Sequence, residues 1–131
     1  MAKRILIVDD DPDLVDTMKI VLEANGYVTS AAADTTQAMA RLREKKPDLI
    51  VLDIMMRTKS EGIWFAQHLR EDPARRDIPI LVLTGVNRDP EMSGMPLDPE
   101  LDAQFLPSDG FLEKPVDTDV LLREVARLTG S

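Results

Sequence analysis

Asp48-Leu49-Ile50-Val51-Leu52-Asp53 sets four consecutive apolar residues between two carboxylates. A short apolar run without polar alternation reads as a strand buried on both faces, the habit of parallel sheets. In open α/β sheets the site lies beyond the carboxyl ends of the strands, so the side chain leaving the core there is Asp53. Three further runs end in reactive or charged residues. Ile5-Leu6-Ile7-Val8 leads into Asp9-Asp10-Asp11, and Ile78-Pro79-Ile80-Leu81-Val82-Leu83 into Thr84-Gly85. Phe111-Leu112-Glu113 leads into Lys114-Pro115. Parallel strands would gather carboxylates, a hydroxyl and an ammonium on one edge around Asp53.

Helices separate these runs. Asp11-Pro12-Asp13 has the chemistry of a helix start, with Asp11 as N-cap and Pro12 at the first helical position. Leu14, Met18 and Leu22, flanked by Val15 and Val21, form its apolar stripe, and Asn25-Gly26 ends it. Tyr27 to Ala31 is a second short strand, and Asp34-Thr35-Thr36 opens a helix expected to run to Lys46 and stop at Pro47. Glu61 to Arg70 makes a third helix with Ile63, Ala66 and Leu69 as its buried side. Asp117 to Leu128 makes the final one, closed by Gly130. Strand-helix alternation predicts an α/β fold, a parallel sheet with helices on both faces. Between Gly85 and Gly110 stand Pro90, Pro96, Pro99 and Pro107, which cannot share one long helix because interior proline costs about 3 kcal/mol. At most a turn or two around Pro99 to Phe105 is expected there.

A length of 131 residues fits one domain, and the 44% apolar content suits a packed core. The absence of cysteine excludes disulfides and thiolate metal sites and is compatible with a reducing compartment. The N-terminal apolar run is too short for a signal peptide or membrane span, so the cytoplasm is the default expectation. A net charge of −8 argues against direct nucleic-acid binding and suits a protein that holds a divalent cation.

Asp9, Asp10 and Asp53 would repel one another unless a cation neutralised them, and Mg²⁺ is the natural occupant of an all-oxygen site. A carboxylate can also be the nucleophile in phosphoryl transfer, with metal, lysine and hydroxyl offsetting the charge of the transferring group. Val8-Asp9-Asp10-Asp11-Pro12, Val51-Leu52-Asp53, Val82-Leu83-Thr84-Gly85 and Phe111-Leu112-Glu113-Lys114-Pro115 together resemble the receiver domain of two-component response regulators, the chemotaxis receivers included. The resemblance covers nearly the whole chain, residues 1–131, with no effector domain expected in it. It implies a flavodoxin-like, doubly wound five-stranded sheet of order 2-1-3-4-5. By the same resemblance Asp53 accepts a phosphoryl group from a histidine of a sensor kinase or phosphotransfer protein. Asp10, Asp53 and the backbone carbonyl of Met55 hold Mg²⁺, and Asp9 acts through water. Thr84 and Lys114 bind phosphoryl oxygens, Phe111 stands at the rotating aromatic, and Met55 and Val86 occupy the positions that tune phosphoryl lifetime. Both of these are apolar, so slow autodephosphorylation is expected.

Two departures accompany the resemblance. Arg57 and Glu61 stand where the family commonly carries proline and glycine, with Gly62 one residue late, which implies an altered loop after Asp53. The proline-rich connection implies that signalling does not use the family's usual fourth-helix face. Two other functions compete. A receiver-like interaction module that is not phosphorylated would follow from the altered loop. A haloacid-dehalogenase-like phosphatase would use Asp9-x-Asp11 as nucleophile and acid, but the chain is short for that family and Asp53 is left without a role. Nucleotide or flavin binding lacks the glycine-rich turn after the first strand. His68, the only histidine, and Trp64 read as packing or surface residues of the third helix.

Overall fold

Strand and helix alternate through the computed structural model, which describes residues 2–53, 59–85 and 109–130. The elements are β1 (Arg4–Val8), α1 (Pro12–Ala24), β2 (Val28–Ala32), α2 (Thr35–Glu44), β3 (Leu49–Asp53), α3 (Lys59–Glu71), β4 (Ile80–Gly85), β5 (Gly110–Lys114) and α4 (Thr118–Thr129). All strand pairs are parallel and the order is β2-β1-β3-β4-β5, the flavodoxin-like arrangement expected.

Side-chain alternation along the strands divides the core into two layers. Leu6, Val8, Ile50, Leu52, Ile80 and Val82 face α2 and α3, where they meet Ala38, Leu42, Phe65, Ala66 and Leu69. Ile5, Ile7, Leu49, Val51, Leu81 and Leu83 face α1 and α4, against Val15, Met18, Leu22, Leu121 and Val125. The central strand β3 is buried along its whole length. That is why its sequence is continuously apolar and why Asp53, at its end, is held against the core.

Several boundaries differ from expectation for local reasons. The fourth strand starts at Ile80, not Ile78, and continues through Gly85. Ile78 still fills the core, but its N–H closes a turn onto the Arg75 carbonyl, and Pro79 has no N–H to pair. Helix α2 ends at Glu44, not Lys46, because Lys45 is already extended and Lys46 precedes a proline that disfavours helical backbone. The second strand is Val28–Ala32, one residue later than expected. Helix α3 spans Lys59–Glu71, wider than the expected Glu61 to Arg70. Its buried residues are Phe65, Ala66 and Leu69, while Ile63 is only partly buried at the margin. On α1 the buried stripe is Val15, Met18 and Leu22, with Leu14 half-buried.

Caps at three helix starts match their sequence chemistry. Asp11 Oδ1 accepts from the N–H groups of Asp13 and Leu14, Asp34 Oδ1 from Gln37, and Asp117 Oδ1 from Asp119 and Val120. Gly130 closes α4 in the left-handed region, φ 75°, with its N–H on the Ala126 carbonyl. Trp64 is 53% exposed on α3, with its ring stacked on His68 at a centroid distance of 5.1 Å. Met55, Arg57, Val86 and the four prolines between Gly85 and Gly110 lie outside the described residues. Among the described residues, no helix is long and apolar enough to cross a membrane.

Candidate functional site

Parallel register brings the expected residues to one edge. Asp53 pairs with Leu83, so Thr84 lies one residue beyond it on β4. Thr84 and Gly85 in turn pair with Glu113 and Lys114 on β5. Asp9 follows β1, whose Val8 pairs with Leu52, and its N–H bonds the Ala32 carbonyl at 3.0 Å. Four strand ends thus deliver Asp9, Asp53, Thr84 and Lys114 to one place, with Asp10 beside them.

Asp9 and Asp53 are each 2% exposed and Thr84 9%. Lys114 Nζ lies 2.9 Å from Asp53 Oδ2 and 3.5 Å from Asp9 Oδ2. The other oxygen of Asp9, Oδ1, accepts from the Asp11 N–H at 3.0 Å, whereas Oδ2 is buried with no hydrogen-bond partner. Thr84 Oγ1 donates to the Leu112 carbonyl at 3.4 Å, which joins β4 to β5 next to the site. Phe111 is 44% exposed on β5. Its ring is therefore not a core residue.

Burial raises the Asp9 carboxyl to about 6, with the Asp53 charge adding to the rise. The Asp11 N–H and Lys114 oppose it without cancelling it. For Lys114 burial disfavours the charged form, but the bond to Asp53 and the charges of Asp53 and Asp9 prevail and hold its proton more tightly than usual. One ammonium between two buried carboxylates leaves a local deficit of positive charge.

Asp9, Asp10 and Asp53 can each turn one oxygen to within 4.8 Å of the others, with Asp10 exposed at the mouth. Hard oxygen donors, a buried Asp9 oxygen with only the long ion pair to Lys114, and unneutralised negative charge fit a small divalent cation of the Mg²⁺ type. Asp11 stands outside this group, with Oδ1 engaged in capping α1.

The family model for the response regulator receiver domain matches residues 5–126. The chain belongs to the receiver domain family of two-component response regulators. It is 35% identical over 125 residues to the DNA-binding dual master transcriptional regulator RpaA of Synechocystis sp., across 95% of this chain and 48% of that protein. It is 43% identical over 84 residues to the phosphate regulon transcriptional regulatory protein PhoB of Escherichia coli, across 64% of this chain and 36% of that one. The chain thus spans about half or less of the curated relatives it matches. Among solved structures it resembles the receiver domain of a signal transduction histidine kinase from Syntrophus aciditrophicus, with TM-score 0.82 and 31% identity over 98% of this chain and 91% of that one. It also resembles the chemotaxis response regulator CheY4 of Vibrio cholerae, with TM-score 0.80 and 25% identity over 98% and 99%. The chain is accordingly a signalling domain of the receiver class.

Proposed function

We propose that this receiver is a phosphoacceptor switch in which Asp53 takes a phosphoryl group from a histidine of a sensor kinase or phosphotransfer protein. The observation that carries the reading is the Asp53 carboxylate, buried at the end of β3, bonded to Lys114 and grouped with Asp9 and Asp10. In the transfer an Asp53 oxygen forms the new O–P bond as the P–N bond to the donor imidazole breaks, and the imidazole regains a proton. Asp10, Asp53 and the Met55 backbone carbonyl would hold Mg²⁺, with Asp9 acting through water. Bound there, the ion would offset charge on the phosphoryl oxygens.

The protein's own groups have separable tasks. Lys114 pairs with Asp53 before transfer and is within reach of a phosphoryl oxygen afterwards. Thr84 can exchange its long bond to the Leu112 carbonyl for a phosphoryl oxygen. That exchange moves the Thr84 side chain and biases a two-state equilibrium read by a downstream protein, with Phe111 on the same edge. Met55 and Val86, two apolar residues, offer attacking water no polar guide, so the acyl phosphate is expected to hydrolyse slowly. A phosphoryl lifetime of only seconds would contradict that part. DNA binding by relatives such as RpaA belongs to proteins about twice as long as the part matched here. For this chain a protein partner is proposed, with no direct nucleic-acid contact and a cytoplasmic setting.

The test is intact mass after incubation with acetyl phosphate and Mg²⁺, beside Asp53→Asn. One added phosphoryl group in the parent and none in the variant is the expected result. No addition to the parent, with Mg²⁺ binding demonstrated, would make the chain an unphosphorylated interaction module.

A further inference from the structure

The strand that carries Lys114 has an unusual problem. It lies at the edge of the sheet and is reached from Gly85 by the longest connection between consecutive described elements. No short hairpin-type turn joins consecutive parallel strands, so register is left to side-chain packing and to contacts where the strand begins. A slip of one residue would displace Lys114 by about 3.3 Å and turn its side chain to the opposite face. The 2.9 Å bond to Asp53 would not survive it.

Asp109, immediately before β5, meets this requirement. Its N–H donates to the Ile80 carbonyl at 2.8 Å, and its Oδ2 accepts from the Ile80 N–H, also at 2.8 Å. One residue therefore engages both backbone groups of Ile80, the first residue of β4. The same carboxylate is ion-paired with Arg70 of α3, whose other amino group donates to the Arg76 carbonyl at 2.9 Å. From the opposite side of the sheet, Arg127 of α4 donates to the Asp109 carbonyl at 3.1 Å. Gly110 keeps this passage open: a Cβ there would lie 3.1 Å from the Arg127 guanidinium and 3.1 Å from Leu81 Cδ1.

We propose that Asp109 is a positioning residue for phosphoryl acceptance, a register clamp that fixes β5 on β4 and so delivers Lys114 to Asp53. The proposal rests on the phosphoacceptor reading of Asp53. Arg70 and Arg127 hold the clamp from both faces of the sheet, while the oxygen on the Ile80 N–H sets the register. Asp9, Asp10 and Asp53 stand on or beside β1 and β3, so the clamp acts on the lysine and not on the metal ligands.

Asp109→Ala and Asp109→Asn separate register from stability. Both lose the charge that pairs with Arg70, so both should lower the unfolding midpoint. Only Asn keeps an oxygen for the Ile80 N–H. Well below both midpoints, phosphorylation by acetyl phosphate is expected to fall about 10- to 100-fold in Asp109→Ala and to stay within about threefold of the parent in Asp109→Asn. Mg²⁺ affinity measured by calorimetry should not fall in either variant, since the clamp holds no metal ligand and a displaced Lys114 no longer competes for Asp53. Equal rates in both variants and the parent would overturn the proposal, as would equal losses of rate and Mg²⁺ affinity in Asp109→Ala. If the parent itself takes up no phosphoryl group, the failure is that of the phosphoacceptor reading instead. Hydrogen exchange in the unmodified protein gives an independent check should Asp109→Ala not fold. The Ile80 amide should be protected like the interior β4 amides, and exchange as fast as an exposed amide would rule the clamp out.

Discussion

Burial of Asp9 beside Asp53 links folding to proton uptake. The Asp9 carboxyl titrates at 3.8 in its ordinary state and at about 6 in the fold. Between these values the folded chain binds the extra proton at Asp9, so the contribution of Asp9 to the stability of the metal-free protein falls as pH rises from 4 to 6 and reaches its full cost above that. Asp9→Asn is therefore expected to be about 1 to 3 kcal/mol more stable than the parent at pH 7 in a chelator, with no advantage below pH 4. Urea unfolding at the two pH values checks this, and an Asn variant less stable than the parent at pH 7 would contradict it. Lys114 contributes at the other end of the scale: its raised proton affinity adds stability below its ordinary 10.5 while Asp53 and Asp9 are ionised, and this is lost as pH climbs through the folded value. Lys114→Met should bind Mg²⁺ more tightly, since a competing cation is gone, yet accept phosphoryl groups about tenfold more slowly or worse. Calorimetry and mass spectrometry would separate the two effects. At this scale Asp9, Asp10, Asp53, Thr84 and Lys114 are legible in sequence because each follows an apolar run. Asp109 is not, since its partners Ile80 and Arg70 lie 29 and 39 residues away.

Helix starts are the best-read elements, because a cap is a contact among neighbours in sequence. Asp11→Ala removes two side-chain acceptor bonds at α1 and should lower stability by about 1 kcal/mol. It should leave phosphoryl acceptance unchanged, because the bond to Asp9 comes from the backbone N–H of residue 11. Loss of labelling in that variant would return Asp11 to the reactive set. Helix α3 was harder to read. Ile63, Ala66 and Leu69 satisfy helical spacing as well as Phe65, Ala66 and Leu69 do, and only the width of the facing layer selects Phe65. Phe65→Ala would empty that layer and should cost about 3 to 5 kcal/mol, whereas Ile63→Ala at its margin should cost less. The early stop of α2 is legible afterwards in Lys46-Pro47, where the proline acts on the residue before it.

For the whole molecule, the parallel strand direction and the helices on both faces of the sheet follow from alternation of strand and helix, whereas the strand order is what the family resemblance implies. Placing four strand ends around one buried carboxylate leaves negative charge that opposes folding until a cation neutralises it. Mg²⁺ should therefore raise the thermal midpoint of the parent, by an amount equivalent to about 2.7 kcal/mol at a concentration 100 times its dissociation constant. The increase should be much smaller in Asp53→Asn, and equal increases in both would place the ion elsewhere. The stacked ring pair on α3 has a practical consequence of another kind. Trp64 is the sole indole in 131 residues, it is open to water, and it leans on the sole imidazole. Indole emission from this protein, excited at wavelengths that Tyr27 does not absorb, therefore originates at one address, on the helix that follows the Asp53 strand. Any tilt or unstacking there registers as a change in intensity or colour, without a label and in real time.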